Sequence, residues 1–267
     1  MRVAIVQLCS TDDIERNLEQ ARDGVARASA LGAEFVALPE AFAFLRREGS
    51  AIPDAAELER RVSDELASWA RSNEVWLLGG SLPEAIPGSS RIHNTSPLLD
   101  PAGATVARYR KIHLFDVDLA EGGGDRYRES ETYASGDEVV VAQTPFGGVG
   151  LSICYDMRFP ELYRSQVEAG ARWLCVPSAF TRETGKDHWE VLLRARAIES
   201  QCYVVAPAQC GRHASDRASH GRSLIIDPWG LVIAQGGDEP TVLVADCPSE
   251  AIDRVRGAVP SLRNRRL

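Results

Sequence analysis

The chain has 267 residues, 44% hydrophobic and 25% charged, a balance that excludes a membrane-embedded or disordered chain and leaves room for one large α/β domain or two smaller ones. A net charge of -8 argues against nucleic acid or an anionic membrane surface as the main partner, because binding phosphate requires a positive face. No opening segment joins a charged start to a long apolar run, and no stretch is long enough to span a bilayer, so a cytoplasmic protein is expected.

In chain order, residues 2–8 are β-branched and apolar and predict a buried strand. Asp12 and Glu15 offer a capping pair, and Ile14, Leu18, Ala21, Val25 and Ala28 recur at helical spacing until Gly32. A strand over 34–40 follows at once, which makes a right-handed β-α-β unit. Residues 54–72 place Leu58, Val62, Leu66 and Trp69 on one helical face, and 75–82 predict another strand. Residues 91–103 and 104–111 read as a hairpin about Asp100-Pro-Ala-Gly103. Residues 117–137 lack periodicity, with Glu121-Gly-Gly-Gly-Asp-Arg126 as a surface loop. A second hairpin joins 139–143 to 149–154 through Pro145-Phe-Gly-Gly148, and Pro160 and Gly170 bracket a helix. There follow a strand at 171–178, a polar loop at 179–186, and a helix opened by Asp187 with Glu190 three residues on and ending near Ser200. Strands at 202–209, 222–227 and 241–246, with a turn at Asp227-Pro-Trp-Gly230, complete the pattern. No linker or repeat interrupts it, so residues 1–267 are expected to form one domain.

Six cysteines, Cys9, Cys154, Cys175, Cys202, Cys210 and Cys247, are dispersed without a Cys-x-x-Cys pair, and the five histidines show no metal-ligand spacing. Neither a disulfide framework nor a metal site is expected. Cys154 closes an apolar strand just before a turn and a helix, where a helix dipole and free N–H groups would lower a thiol pKa and hold an oxyanion. Taken alone, the thiol reads equally well as buried filler. Glu40 follows Pro39 and precedes Ala41-Phe-Ala-Phe44; burial there would raise a carboxyl toward the range of a general base, whereas an exposed strand-end charge is the commoner fate. Lys111, at a strand end between Tyr109 and Ile112, reads either as a solvated or as a buried charge.

Glu40, Lys111 and Cys154, in that order and each at an apolar strand end, resemble the catalytic triad of the nitrilase superfamily of carbon-nitrogen hydrolases. The segments that carry the likeness are Ala37-Leu-Pro-Glu-Ala-Phe42, Tyr109-Arg-Lys-Ile-His-Leu-Phe115 and Leu151-Ser-Ile-Cys-Tyr-Asp-Met-Arg-Phe-Pro-Glu161. Pro177-Ser-Ala-Phe-Thr181, His188-Trp-Glu-Val-Leu-Leu-Arg-Ala-Arg-Ala-Ile-Glu199 and Ala208-Gln-Cys-Gly-Arg-His213 are similar to the Nit branch and, within it, to the deaminated glutathione amidases. The resemblance implies an α/β fold of the four-layer α-β-β-α sandwich type, a homodimer or higher homo-oligomer, a small carboxylate-bearing amide as substrate, a thioester intermediate, and no cofactor. It implies Glu40 as base, Cys154 as nucleophile, and Lys111 with the Tyr155 N–H as oxyanion donors. A further glutamate matches Glu129, with Glu131 as its rival. Asp156, Arg158 and Glu161 are expected to fix the turn after the nucleophile, and Arg182 and Thr184, in a loop beyond a strand end, to meet a substrate carboxylate. The alternatives are an ω-amidase acting on 2-oxoglutaramate, another amidase, nitrilase or carbamoylase of the superfamily, a Cys-His hydrolase using His188 or His220, and a scaffold protein that has lost activity.

Overall fold

The computed structural model describes residues 1–46, 52–119, 126–213 and 217–266. Its elements run β1 (Arg2–Gln7), α1 (Ile14–Ala30), β2 (Phe35–Ala37), α2 (Ala55–Asn73), β3 (Trp76–Leu78), β4 (Leu82–Ala85), β5 (Ile92–Leu99), β6 (Thr105–Arg110), β7 (Asp116–Asp118), β8 (Arg126–Arg128), β9 (Val141–Thr144) and β10 (Gly147–Leu151). They continue with α3 (Pro160–Glu168), β11 (Ala171–Cys175), α4 (Arg182–Ser200), β12 (Tyr203–Ala206), β13 (Cys210–Arg212), β14 (Ala218–His220), β15 (Leu224–Ile226), β16 (Val232–Gln235), β17 (Thr241–Asp246) and α5 (Glu250–Ala258).

The two-residue period of β1 sets the layers. Val3 and Ile5 point to one face, Ala4 and Val6 to the other, and all four are buried. A strand apolar on both faces needs cover on both. Ala4, Val6, Val36 and Leu77 pack under α1 and α2 through Leu18, Ala21, Val25, Leu58, Val62, Leu66 and Trp69. Val3, Ile5, Phe35 and Ala37 instead belong to the cluster that contains the second sheet. The first sheet has the order β17-β1-β2-β3-β5-β4, with β6 on β5, and the second β16-β15-β12-β11-β10-β9.

Aromatic side chains join the sheets. The Phe146 ring meets Phe35 and Trp76 of the first sheet edge-on at 5.9 and 5.5 Å and Trp173 of the second at 5.9 Å, and Trp173 stacks on Tyr203 at 4.6 Å. Burying such a ring removes about 150–250 Å² from water, up to about 4–6 kcal/mol each. Leu162 and Tyr163 of α3 with Trp189, Leu193 and Ala197 of α4 cover the outer face of the second sheet. The result is the four-layer α-β-β-α sandwich that the resemblance implies.

Several boundaries differ from the sequence reading. The cap of α1 is Asp13, not Asp12: its extended backbone lets the side chain accept from the Arg16 N–H at 3.1 Å. The strand expected over 75–82 divides into β3 and β4 because the backbone turns at Gly80, at φ +56, where a Cβ would strike the Pro39 carbonyl. Helix α4 begins at Arg182 rather than at Asp187, with Thr181 in extended backbone before it. Its first turns pack on β14 so closely that a Cβ on Gly185 would overlap the ring of His220. Strands β7, β8, β13, β14 and β16 and helix α5 are additions, and residues 121–125 of the expected glycine-rich loop lie outside the described residues.

Candidate active site

The residues singled out from sequence meet where parallel strands of both sheets end, the usual place for a site in an α/β protein. Glu40 lies just past β2, Lys111 follows β6, Cys154 follows β10, and Ala179 comes after β11. Glu40, Lys111 and Cys154 are 6%, 2% and 8% exposed. Polar groups this buried require partners.

Each carboxylate is held on both oxygens. Glu40 Oε1 accepts from Lys111 Nζ at 3.1 Å and from Asn94 Nδ2 at 2.9 Å, and its Oε2 accepts the Ala179 N–H at 2.7 Å. Glu129 Oε1 accepts from Lys111 Nζ at 3.0 Å, and its Oε2 accepts the Phe115 N–H at 2.6 Å. Lys111 thus bridges two carboxylates. Burial disfavours its charge, yet Glu129 and Glu40, helped by Cys154, outweigh burial and hold the ammonium well above its ordinary pKa.

The same surroundings act oppositely on the thiol. Burial, then the neighbouring Glu40 charge, push Cys154 well above its ordinary value, against the pull of Lys111 and the Ala179 N–H. The resting nucleophile is therefore a thiol beside a carboxylate. This corrects the expectation of a thiol acidified by a helix dipole: a 3-10 turn, Cys154–Arg158, separates Cys154 from α3, which starts at Pro160.

Cys154 takes the left-handed backbone conformation, φ +49, which costs a non-glycine residue about 1–3 kcal/mol and persists only when its surroundings fix it. Its N–H donates to the Pro177 carbonyl at 2.9 Å. Two residues on, the fully buried Asp156 accepts the Ile153 N–H and the Tyr109 hydroxyl on Oδ2, both at 2.8 Å, and the His113 N–H on Oδ1 at 3.0 Å, with His113 Nδ1 2.7 Å from the same oxygen. Asp156 so ties the start of the turn to the Tyr109–His113 segment that also carries Lys111.

These groups open on a cavity of about 630 Å³ lined by Glu40, Lys111, Glu129, Cys154 and Tyr155. Glu131 lines it too, but Glu129 is the carboxylate that touches the lysine. Thr181 and Thr184 line it, their hydroxyls 2.7 Å apart. Arg182 does not: on the first turn of α4 it faces solvent. Glu161 is likewise exposed, on the first turn of α3, and so does not fix the nucleophile turn. The Arg158 guanidinium lies over the rings of Tyr155 and Phe180 at 5.7 and 5.3 Å and meets His188 Nδ1 at 3.3 Å. His188 is therefore exposed and engaged elsewhere, and His220 lies outside the cavity lining.

Sequence reasoning missed Asn94, the Ala179 and Phe115 N–H groups, and the cavity's arginines Arg46, Arg126, Arg128 and Arg217. Only Asn94 carries a signal, an amide on a strand whose residues 94–99 are all buried. Among the described residues, no group of three or more His, Cys, Asp or Glu side chains is placed to hold a metal ion.

A profile of the carbon-nitrogen hydrolase family matches residues 2–257. The chain is similar to the deaminated glutathione amidase of Synechocystis sp. (strain PCC 6803 / GT-S), at 43% identity over 265 residues, 98% of this chain and 97% of that protein. Among solved structures it resembles the Caenorhabditis elegans NitFhit protein, with a TM-score of 0.93 and 40% identity over 99% of its length, and it spans 65% of that longer chain. It is also similar, with a TM-score of 0.81 and 28% identity over 100% of this chain and 94% of the other, to a mutant amidase from Nesterenkonia sp. AN1 with the acetamide moiety of fluoroacetamide added covalently at its active-site cysteine.

Proposed function

The chain belongs to the carbon-nitrogen hydrolase family, and from that premise we propose that it hydrolyses the amide of deaminated glutathione, a 2-oxoglutaryl group joined through its distal carbonyl to cysteinylglycine. The observation that carries the reading is the bridge from Glu40 through Lys111 to Glu129 beside a buried thiol, on the wall of a cavity of about 630 Å³. That volume accepts a substrate of tripeptide size.

The steps follow from the charges. As Cys154 Sγ bonds to the amide carbon, Glu40 takes the thiol proton and the carbonyl π electrons move to oxygen. The oxyanion is met by the Lys111 ammonium and by the Tyr155 N–H, which, in the first turn after the strand, has no acceptor within the turn. Collapse re-forms the carbonyl and breaks the C–N bond, and the amine leaves with the proton held on Glu40. Glu40 then takes a proton from water as the water oxygen attacks the thioester, and returns it to the departing sulfur, releasing 2-oxoglutarate. Glu129 takes no part in these transfers; it holds Lys111 in place through its 3.0 Å contact. No step requires a cofactor.

The same reading takes residues 1–267 as one catalytic domain, since both sheets contribute to the site. It places the protein in the cytoplasm, where the six free thiols are at home; among the described residues no helix is long and apolar enough to cross a membrane. It also makes the protein a homodimer. Val191 and Ile198 on one face of α4, 67% and 51% exposed, adjoin Trp229 and Leu231, 57% and 55% exposed, across the Arg194 bond to the Gly230 carbonyl. Exposed apolar side chains so grouped suit a second copy. Sedimentation of Ile198→Asp should give a monomer where the unaltered chain gives a dimer.

The test of function is 2-oxoglutarate release from deaminated glutathione and, separately, from 2-oxoglutaramate, with Cys154→Ala alongside. Preference for the first, lost in the variant, is expected. Preference for the second would make the protein an ω-amidase.

A further inference from the structure

Among the described residues four arginines line the cavity, and they are not equivalent. Arg126 is paired with Asp118 at 2.7 Å. Arg128 donates to the Val117 and Tyr127 carbonyls at 3.3 and 2.9 Å, which closes the β7–β8 ribbon. Arg46 reaches Thr132 Oγ1 at 3.3 Å, on the segment that also carries Glu129, close to the reacting end. Arg217 differs from all three. It ends the connection between β13 and β14, its carbonyl accepts the His213 N–H at 3.0 Å, and among the described residues no carboxylate, carbonyl or hydroxyl oxygen holds its half-buried guanidinium, which meets the Tyr127 ring instead.

A line of aromatic rings leads to it from the nucleophile. Tyr155, next to Cys154, meets Phe115 at 5.0 Å, Phe115 meets Tyr127 at 5.0 Å, and the Arg217 guanidinium lies over Tyr127 at 5.6 Å. All four residues line the cavity. The arrangement is an apolar rail that starts at the reacting thiol and ends in a positive charge. Steps of 5.0, 5.0 and 5.6 Å along the rail set that charge away from the scissile bond, on the side of a carboxylate carried on an extended arm; two extended residues carry a carboxylate about 7 Å along it.

We propose that Arg217, at the end of the Tyr155–Phe115–Tyr127 rail, binds the terminal carboxylate on the leaving-amine arm of an extended substrate, and so selects long amides over short ones. The inference rests on the substrate reading above. A planar guanidinium stacked on an aromatic ring presents its free edge for a bidentate carboxylate contact. The contact lies far from the reacting carbon, so it is made equally in the ground and transition states and reads out in KM rather than in kcat.

The test compares deaminated glutathione with the same compound carrying a C-terminal carboxamide, in the unaltered chain, Arg217→Gln and Arg217→Lys. The unaltered chain should prefer the carboxylate by about 10- to 100-fold in kcat/KM, through KM. Arg217→Gln should bring that ratio within about 3-fold of unity, and Arg217→Lys should restore part of it, since a point charge replaces the fork. If the unaltered chain cleaves both compounds equally well, or Arg217→Gln keeps the full ratio, the inference fails while the substrate reading stands. If the unaltered chain cleaves neither, the substrate reading fails and the inference falls with it.

Discussion

The floor and the rim of the cavity are built differently. On the floor, Glu40, Lys111, Glu129 and Cys154 stand at or near strand ends, are buried, and are each fixed by contacts from separate elements. On the rim, Arg46, Arg126, Arg128 and Arg217 sit on connections and a two-stranded ribbon, leaning on a threonine hydroxyl, a half-exposed aspartate, main-chain carbonyls and a tyrosine ring respectively. Bond making needs atoms held to a fraction of an ångström, which packed strand ends provide. Recognition of a long flexible substrate tolerates looser supports, and connections can vary without disturbing the core. Changes on the floor should therefore alter kcat, and stability too where a buried charge or donor is left unpaired, and changes on the rim mainly KM.

The strongest test of that division is Cys154→Ala, which should reduce kcat by on the order of 10⁴-fold or more with little change in the melting temperature. Lys111→Met removes an oxyanion donor, about 100- to 1,000-fold in kcat, and leaves Glu40 and Glu129 as buried carboxylates without their shared cation. Urea unfolding should register about 3–5 kcal/mol of lost stability; a stable, merely slower variant would mean that Lys111 holds nothing together. Asp156→Asn turns an amide toward groups that donate, so a buried donor goes unmet. About 1–3 kcal/mol of stability and roughly tenfold of kcat should go, with KM unchanged, if Asp156 fixes the left-handed turn at Cys154. Arg46→Gln, on the rim, should raise KM about tenfold or less and leave the melting temperature alone. A fall in kcat instead would erase the distinction.

A smaller effect separates the catalytic thiol from the structural ones. Burial raises the Cys202 thiol from 9.0 to about 11, so the folded chain keeps a proton that the unfolded chain gives up. Stability from this group is complete below about pH 9 and is lost as pH climbs from there to 11, by up to about 1.4 kcal/mol per pH unit. Cys202→Ala should flatten the slope of urea midpoint against pH in that window. Glu40→Gln should leave that slope intact and speed alkylation of Cys154 at pH 8, because removing the neighbouring negative charge lowers the thiol pKa.

The floor was legible because its residues interrupt apolar runs at strand ends, and the layers were legible from strand periodicity. What sequence hid had no period to show. The first turns of α4 read as a loop because residues 182–186 are polar and include Gly185; only the approach of His220 explains the glycine. That misplacement put Arg182 near the substrate, whereas Arg217, just past the Ala208–His213 segment but outside every motif used, reaches the cavity because β13 and β14 pair. The hydrogen bonds from Ala179 and Phe115 come from main-chain N–H groups, which every residue but proline owns, so no residue type announces them. Strand β4 was absorbed into the segment before it, because Gly79 and Gly80 look like strand interior until the Pro39 carbonyl is seen against Gly80.

Among the hydrogen bonds that cross between the sheets at the floor, one comes from a main-chain amide at the reacting carboxylate: the Ala179 N–H, beyond β11, donates to the Glu40 carboxylate, beyond β2, at 2.7 Å. That amide hydrogen can exchange with deuterium only when the sheets part locally or the carboxylate lets go. Its exchange rate is then a clock for the seam, readable without any substrate. An acyl group on Cys154 that draws Glu40 toward the thioester would loosen this bond, so the clock would run faster in the acylated enzyme than in the resting one.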